Sequence, residues 1–151
     1  MTRAAWPFAF LVLASSVSFA AAPAPADPFL AIAAQEPGAV VIQRGIVYRT
    51  VTPGEGRTPH GNEYVRVEYT GRFVDGTVFD TTADRGPFSA YLKSVIPCWS
   101  IGVAKMHVGE KAVLTCPSST AYGDKGVPPK IPGGAVLQFD IELLGVQPSN
   151  R

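Results

Sequence analysis

Two stretches of the chain alternate between apolar and polar residues with a period of two. From Tyr64 to Gly71, Val65, Val67 and Tyr69 are set against Arg66, Glu68 and Thr70. From Val136 to Val146, Leu137, Phe139, Ile141 and Leu143 are set against Val136, Gln138, Asp140 and Glu142. Side chains of a strand point alternately to its two faces, so both stretches read as half-buried strands, with Tyr69 inward beside the valines. Ile46 to Val51 and Lys111 to Cys116 are β-branched or apolar runs that predict two more strands. Asp75-Gly76 is a tight-turn pair between Arg72-Phe73-Val74 and Thr77-Val78-Phe79-Asp80, a hairpin signal. Phe88 to Leu92 resumes the alternation, with Phe88 and Ala90 on one side.

One stretch has a different period. Between Val95 and Met106, apolar residues follow Trp99 at Val103 and Met106, one face of a short helix. Pro97 suits its first turn, where a missing N–H costs nothing, and Gly109 is expected to end it. So short a helix is unstable alone and must lie on something larger. The pattern therefore predicts an α+β domain: five or six antiparallel strands curling around one short helix, with Trp99 at the base of a pocket.

Fourteen prolines and fifteen glycines agree with many turns and short strands, and 46% hydrophobic residues suffice for one modest core. The net charge is +1 with no run of like charge, so no nucleic-acid surface is expected. Thr81 to Pro87 reads as a polar surface loop carrying Asp84 and Arg85. Ser118 to Pro132 is a longer loop, and a loop of that length with Ala121-Tyr122-Gly123 and Ile131 in it points to function.

The N-terminus departs from the rest. Arg3 precedes an apolar run from Phe8 to Val17 and the small residues Ser18 and Ala20, the form of a signal peptide cleaved after Ala20. The run is shorter than the ~20 residues that span a bilayer. Residues 1–20 are thus expected to be a signal peptide, 21–43 an Ala/Pro-rich flexible tether, 44–147 the folded domain and 148–151 a tail. Phe29, Leu30 and Ile32 suit either a turn of helix or a contact with a partner. In an oxidising compartment Cys98 and Cys116 form a bridge; otherwise they are two small buried thiols. Neither they nor His60 and His107 have metal-ligand spacing, so no metal or other cofactor is expected.

No nucleophile motif, phosphate loop or paired acid and base stands out. What stands out is a surplus of inward aromatics: Tyr69, Phe73, Phe79, Phe88, Trp99, Tyr122 and Phe139. Taken singly each is a core residue. Together with Asp80 and Arg85 they describe an apolar floor with a few convergent polar groups, the usual form of a binding site.

The segments VEYTGRFVDGTVFDTT, VIPCWSIGVAKMHVGEKAVLTCPSSTAYG and GVPPKIPGGAVLQFDIELLGV resemble the FKBP family of peptidyl-prolyl cis-trans isomerases, over about Arg44 to Gln147. The resemblance implies a five- to six-stranded antiparallel half-barrel around a short helix. It implies a pocket for a substrate proline ring formed by Tyr69, Phe79, Val95, Ile96, Trp99 and Phe139, with Trp99 beneath the ring. Asp80 and Tyr122 match polar pocket positions, and Ile96 supplies a backbone N–H to the peptide. Phe88 and Ile131 match rim positions, and Arg85 matches an arginine that orients Asp80 and Tyr69.

Ala90, Val127 and Ser119-Thr120 depart from common members at the rim and in the long loop, which bears on substrate preference. A Cys98–Cys116 pair is a variation associated with exported bacterial members. The implied partners are proline-containing polypeptides and macrolide inhibitors, and the implied location is the bacterial periplasm. The sequence shows none of the long N-terminal helical extension through which some exported members dimerise, so a monomer without membrane association after cleavage is expected. A second reading keeps the pocket but makes the protein a non-catalytic, proline-binding chaperone module.

Overall fold

The structure, a computed structural model, describes residues 27–148. The expected signal peptide, residues 21–26 of the expected tether and residues 149–151 lie outside the described part. Two short elements come first, α1 (Pro28–Ala33) and β1 (Ala39–Val41). The strands β2 (Val47–Thr52), β3 (Glu63–Phe73), β4 (Val78–Thr81) and β5 (Phe88–Tyr91) follow. The helix α2 (Pro97–Gly102) then precedes β6 (Lys111–Cys116) and β7 (Leu137–Pro148).

All seven strands join one antiparallel sheet in the order β1-β2-β6-β7-β3-β4, with β5 paired to β3 beside β4. Its centre is β3 against β7, the two strands with the clearest alternation. Tyr69 faces Ile141 and Gly71 faces Phe139 in that ladder, and the register slips by one residue between Arg66 and Val67. Such a bulge adds twist and bends the strand, which helps the sheet curl.

On the concave side Val65, Val67, Leu114, Leu137, Ile141 and Leu143 are buried against Trp99, Val103 and Met106. The helix lies close to β6 because residue 102 has no side chain: a Cβ on Gly102 would sit 2.5 Å from Leu114 Cδ1. α2 ends at Gly102, earlier than Gly109 suggests. Val103–Lys105 tightens into a 3-10 turn and Met106 is extended. Val103 and Met106 still reach the core, so the apolar spacing survives the change of helix type. Cys98 in α2 is bonded to Cys116 at the end of β6, with Cα atoms 5.8 Å apart and both residues fully buried.

Residues 27–43, expected to be flexible tether, are folded onto the domain, a correction to that expectation. The Asp27 carboxylate accepts the Phe29 N–H at 2.8 Å, and Pro28 occupies the first turn of α1. Leu30 and Ala33, three apart on one helical face, bury against Val47 and Val136 on the outer side of the sheet. β1 then pairs with β2 as an edge strand.

A buried carboxylate ties the turn before β6 to β2. Glu110, 4% exposed, accepts hydrogen bonds from the Tyr48 hydroxyl, the Thr50 hydroxyl at 2.8 Å and the His107 N–H at 2.9 Å. Burial alone would raise its pKa, but these hydrogen bonds outweigh it and hold the carboxyl below the ordinary 4.5. A depressed folded-state pKa contributes stability that is present above the unfolded value and is lost as pH falls through the folded one. Glu110→Gln is therefore expected to cost roughly 2 kcal/mol at neutral pH. In urea titrations the gap between variant and wild type should close as pH drops below the ordinary 4.5 and through the lowered folded-state value. An equal gap at all pH values would contradict it.

Candidate active site

α2 and the segment before it place the floor of a cavity against the concave sheet. Pro97 starts the helix, and the carbonyl of Ile96 accepts the N–H groups of Trp99 at 2.9 Å and Ser100 at 3.1 Å. This fixes Trp99 in the first turn, 4% exposed, with its ring turned to β3 and β7. The indole stands edge-to-face with Tyr69 (centroids 4.8 Å, 84°), Phe139 (5.4 Å, 86°) and Phe88 (6.4 Å, 74°). Phe79 packs on Phe139 at 5.7 Å and on Phe73 at 4.9 Å. Tilted and T-shaped pairs are the favoured aromatic geometries, so the rings brace one another and leave space between them.

That space is a cavity of about 300 Å³ lined by Tyr69, Phe79, Asp80, Phe88, Ser94, Val95, Ile96, Trp99, Tyr122 and Phe139. Three hollows are larger. One of about 470 Å³ lies beside Phe73, Lys130 and Val136, one of about 370 Å³ lies on the outer face by Lys111 and Glu142, and one of about 330 Å³ lies between Leu30, Arg44 and Pro117. None combines a wall of several aromatic rings with convergent hydroxyl and carboxylate groups. The smaller cavity does.

Its polar side is a three-residue network. The Tyr69 hydroxyl donates to Asp80 Oδ2, and Arg85 Nη2 donates to the Tyr69 hydroxyl at 2.9 Å and to Asp80 Oδ1 at 2.8 Å. Burial, then the adjacent carboxylate of Asp80, pushes the Tyr69 phenol up to about 12. Burial first and the charge of Asp80 second also raise the Tyr122 phenol. Both hydroxyls therefore remain protonated donors at neutral pH. Among the described residues no acceptor takes the Tyr122 hydroxyl or the Ile96 N–H. The buried Trp99 Nε1 also lacks a hydrogen-bond partner. The cavity thus offers unfilled donors above an apolar floor, suited to hold a peptide carbonyl.

The cavity brings together nine of the residues singled out in the sequence, and Arg85 adjoins it through Asp80 and Tyr69. Ile131, expected at the rim, is not among the residues that line the cavity. It is 5% exposed, belongs to the main core and pairs backbone-to-backbone with Val127, which is 45% exposed. That bridge closes the long loop on itself and turns Ile131 into the interior. Ser94, a lining residue the sequence reading passed over, comes just before Val95. Its only signal was that position, since a serine beside an apolar run reads as turn.

Gly71 fixes the fit of the wall. A Cβ there would lie 2.6 Å from Phe79 Cζ and 3.1 Å from Phe139 Cε1. Gly71→Ala is expected to destabilise by about 1–3 kcal/mol through overpacking and to displace Phe79 into the cavity. Ligand affinity should fall even at temperatures where the variant is fully folded, as calorimetric titration with a proline peptide would read. Unchanged affinity would contradict this placement of the wall.

Residues 55–144 match the family described as FKBP-type peptidyl-prolyl cis-trans isomerase. The chain is 41% identical over 122 residues to FKBP-type peptidyl-prolyl cis-trans isomerase FkpA of Aeromonas hydrophila, covering 80% of this chain and 45% of that protein. It is 42% identical over 106 residues to FK506-binding protein 1A of Aspergillus fumigatus, covering 68% of this chain and 95% of that protein. Among solved structures, FkpA from Escherichia coli superposes with a TM-score of 0.78 at 38% identity, over 81% of this chain and 57% of that one. A peptidyl-prolyl cis-trans isomerase from Pseudomonas syringae gives 0.75 at 37% identity, over 79% and 88%. The chain spans about half the length of the FkpA relatives it matches.

Proposed function

The chain belongs to the family of FKBP-type peptidyl-prolyl cis-trans isomerases, and on that premise we propose that its aromatic cavity catalyses rotation about Xaa-Pro bonds in polypeptides. The observation that carries the proposal is the cavity itself: Trp99, Phe79 and Phe139 around an empty space, with donors at Ile96 and Tyr122 on its border that no described residue takes up.

Rotation breaks amide resonance over a barrier of ~20 kcal/mol and breaks no covalent bond. In the twisted state the nitrogen is pyramidal and the carbonyl carries less charge, so this state is less polar than the planar one. A dry aromatic pocket therefore stabilises the twisted state relative to the planar one. Lowering the barrier by about 5 kcal/mol gives on the order of a few thousandfold in rate. In this scheme Trp99 supports the proline ring and Phe79, Phe139 and Val95 exclude water. The Ile96 N–H and the Tyr122 hydroxyl hold the peptide, and Asp80, fixed by Tyr69 and Arg85, faces the twisting imide.

The location and assembly belong to the same proposal: an exported, periplasmic monomer acting on proline-bearing folding chains. The Arg3 to Ala20 pattern and the buried Cys98–Cys116 bridge support export. Among the described residues no helix is long and apolar enough to cross a membrane. The name of the Aspergillus relative supports binding of a macrolide of the FK506 class in the same cavity.

A protease-coupled assay on a Leu-Pro-Phe peptide tests the activity. The expected result is catalysis by the wild type and a loss of at least about tenfold in folded Asp80→Val, which removes the anchor of the polar network. The rate should be flat from about pH 6 to 9, because the Tyr69 phenol titrates near 12 and no proton moves in the reaction. A folded wild type without activity would refute the isomerase reading and favour the chaperone module. A bell-shaped profile would contradict the mechanism.

A further inference from the structure

We infer that Thr82 is a positioning residue for the cavity, the strut that carries Arg85 to Asp80 and Tyr69; the inference rests on the isomerase reading of the site. It begins from a gap in the sheet. One edge of β3 is paired to β4 at Thr70 to Arg72 and to β5 at Tyr64 to Val67. Glu68 and Tyr69 lie between the two partner strands, with no strand opposite them on that edge. Tyr69 is the residue whose hydroxyl enters the polar network, so its backbone sits where the ladder is interrupted.

Thr82 fills the gap. Its hydroxyl accepts the Tyr69 N–H at 2.9 Å and lies 3.3 Å from the Tyr69 carbonyl, to which it donates. Its own N–H donates to that carbonyl at 3.0 Å. Thr82 is 3% exposed, so water cannot replace these bonds without opening the structure. The carbonyl of Thr82 then accepts the N–H groups of Arg85 at 3.1 Å and Gly86 at 2.9 Å. The turn so formed starts on the backbone of Tyr69 and ends with the Arg85 guanidinium on the Tyr69 hydroxyl and on Asp80.

Thr82 therefore fixes the loop and the phenol from one point. Its two threonine neighbours, Thr70 and Thr81, pair with each other at 3.0 Å, and Thr81 also reaches the Tyr69 carbonyl at 3.4 Å, but only Thr82 accepts the Tyr69 N–H. Without the Thr82 hydroxyl, the N–H of Tyr69 has no acceptor and the 82–86 turn has one anchor fewer. Arg85 is half exposed and would then spend less time on Asp80.

The test is a double-mutant cycle with a conservative rescue. Thr82→Val keeps the shape and removes the hydroxyl; it should lower kcat/KM by about tenfold, mainly in kcat, while Thr82→Ser stays within about twofold of wild type. In an Arg85→Ala background, Thr82→Val should cost less than about twofold more, because a residue that acts through Arg85 has nothing left to position. Equal losses in the two backgrounds would overturn the proposal and make Thr82 a stability residue only.

Amide hydrogen exchange gives a readout independent of activity. In Thr82→Val the Tyr69 and Gly86 amides should exchange at least about tenfold faster while β6 amides do not change. Retained protection at Tyr69 would also overturn the proposal. A wild type that fails to isomerise would refute the reading of the site, and the exchange data would then decide the strut by themselves.

Discussion

Trp99→Ala should abolish most of the activity and remove a large share of the stability of the fold. The indole is buried between Tyr69, Phe88 and Phe139, so truncation opens a void beneath three rings that stand on it. Truncations of this size cost about 3–5 kcal/mol, against a total of roughly 5–15 kcal/mol for a domain. Water would enter the floor, and a wet floor no longer favours the less polar twisted amide. A loss of roughly 100-fold in kcat/KM corresponds to about 2.7 kcal/mol of lost transition-state stabilisation.

Trp99→Phe separates the two effects. Because Nε1 has no hydrogen-bond partner, a phenyl ring gives up volume and no bond. It should cost about 1–2 kcal/mol and leave the floor dry. Urea titration and kcat/KM of both variants would check this. Activity in Trp99→Ala equal to wild type would remove the indole from the mechanism.

The second large effect is expected from opening the Cys98–Cys116 bridge. The two cysteines are separated by 18 positions, and closing a loop of that size is worth about 3 kcal/mol. For a domain of this size that loss lowers Tm by roughly 10 °C. The consequence reaches the site because Cys98 directly precedes Trp99 and Cys116 precedes the loop that carries Tyr122. A six-residue helix has little stability of its own, so the bridge keeps the floor seated on β6. Cys98→Ser/Cys116→Ser should therefore melt earlier and lose activity at temperatures below its own Tm. Reductant should change the wild type in the same direction. A variant with unchanged Tm would contradict this role.

How much could be read from the sequence depended on how many residues each feature repeats over. β3 and β7 show several alternations each and were legible, as was β6, whose six residues match the expected span. The elements before β2 were not legible because α1 has six residues and β1 three, too few for either period to appear. The end of α2 was misread because Val103 and Met106 keep their inward spacing through a 3-10 turn.

In the candidate site, the aromatic residues were visible as a surplus, but the sequence alone did not bring their rings together. The resemblance supplied their positions; Ile131, named with them, packs in the main core and does not line the cavity. Thr82 was invisible for a different reason. Its importance comes from the gap between β4 and β5 along β3, a property of pairing that no local pattern encodes.

The central claim is that the cavity over Trp99 accelerates prolyl rotation by holding the peptide there. Exchange NMR on an isotopically labelled protein with an excess of an Ala-Leu-Pro-Phe peptide tests catalysis and location together. The account predicts cis–trans exchange cross-peaks at substoichiometric protein, with shifts concentrated at the Ile96 amide, the Trp99 indole and the Tyr122 ring. Unaltered exchange, or shifts centred on the outer-face hollow beside Lys111 and Glu142, would contradict it.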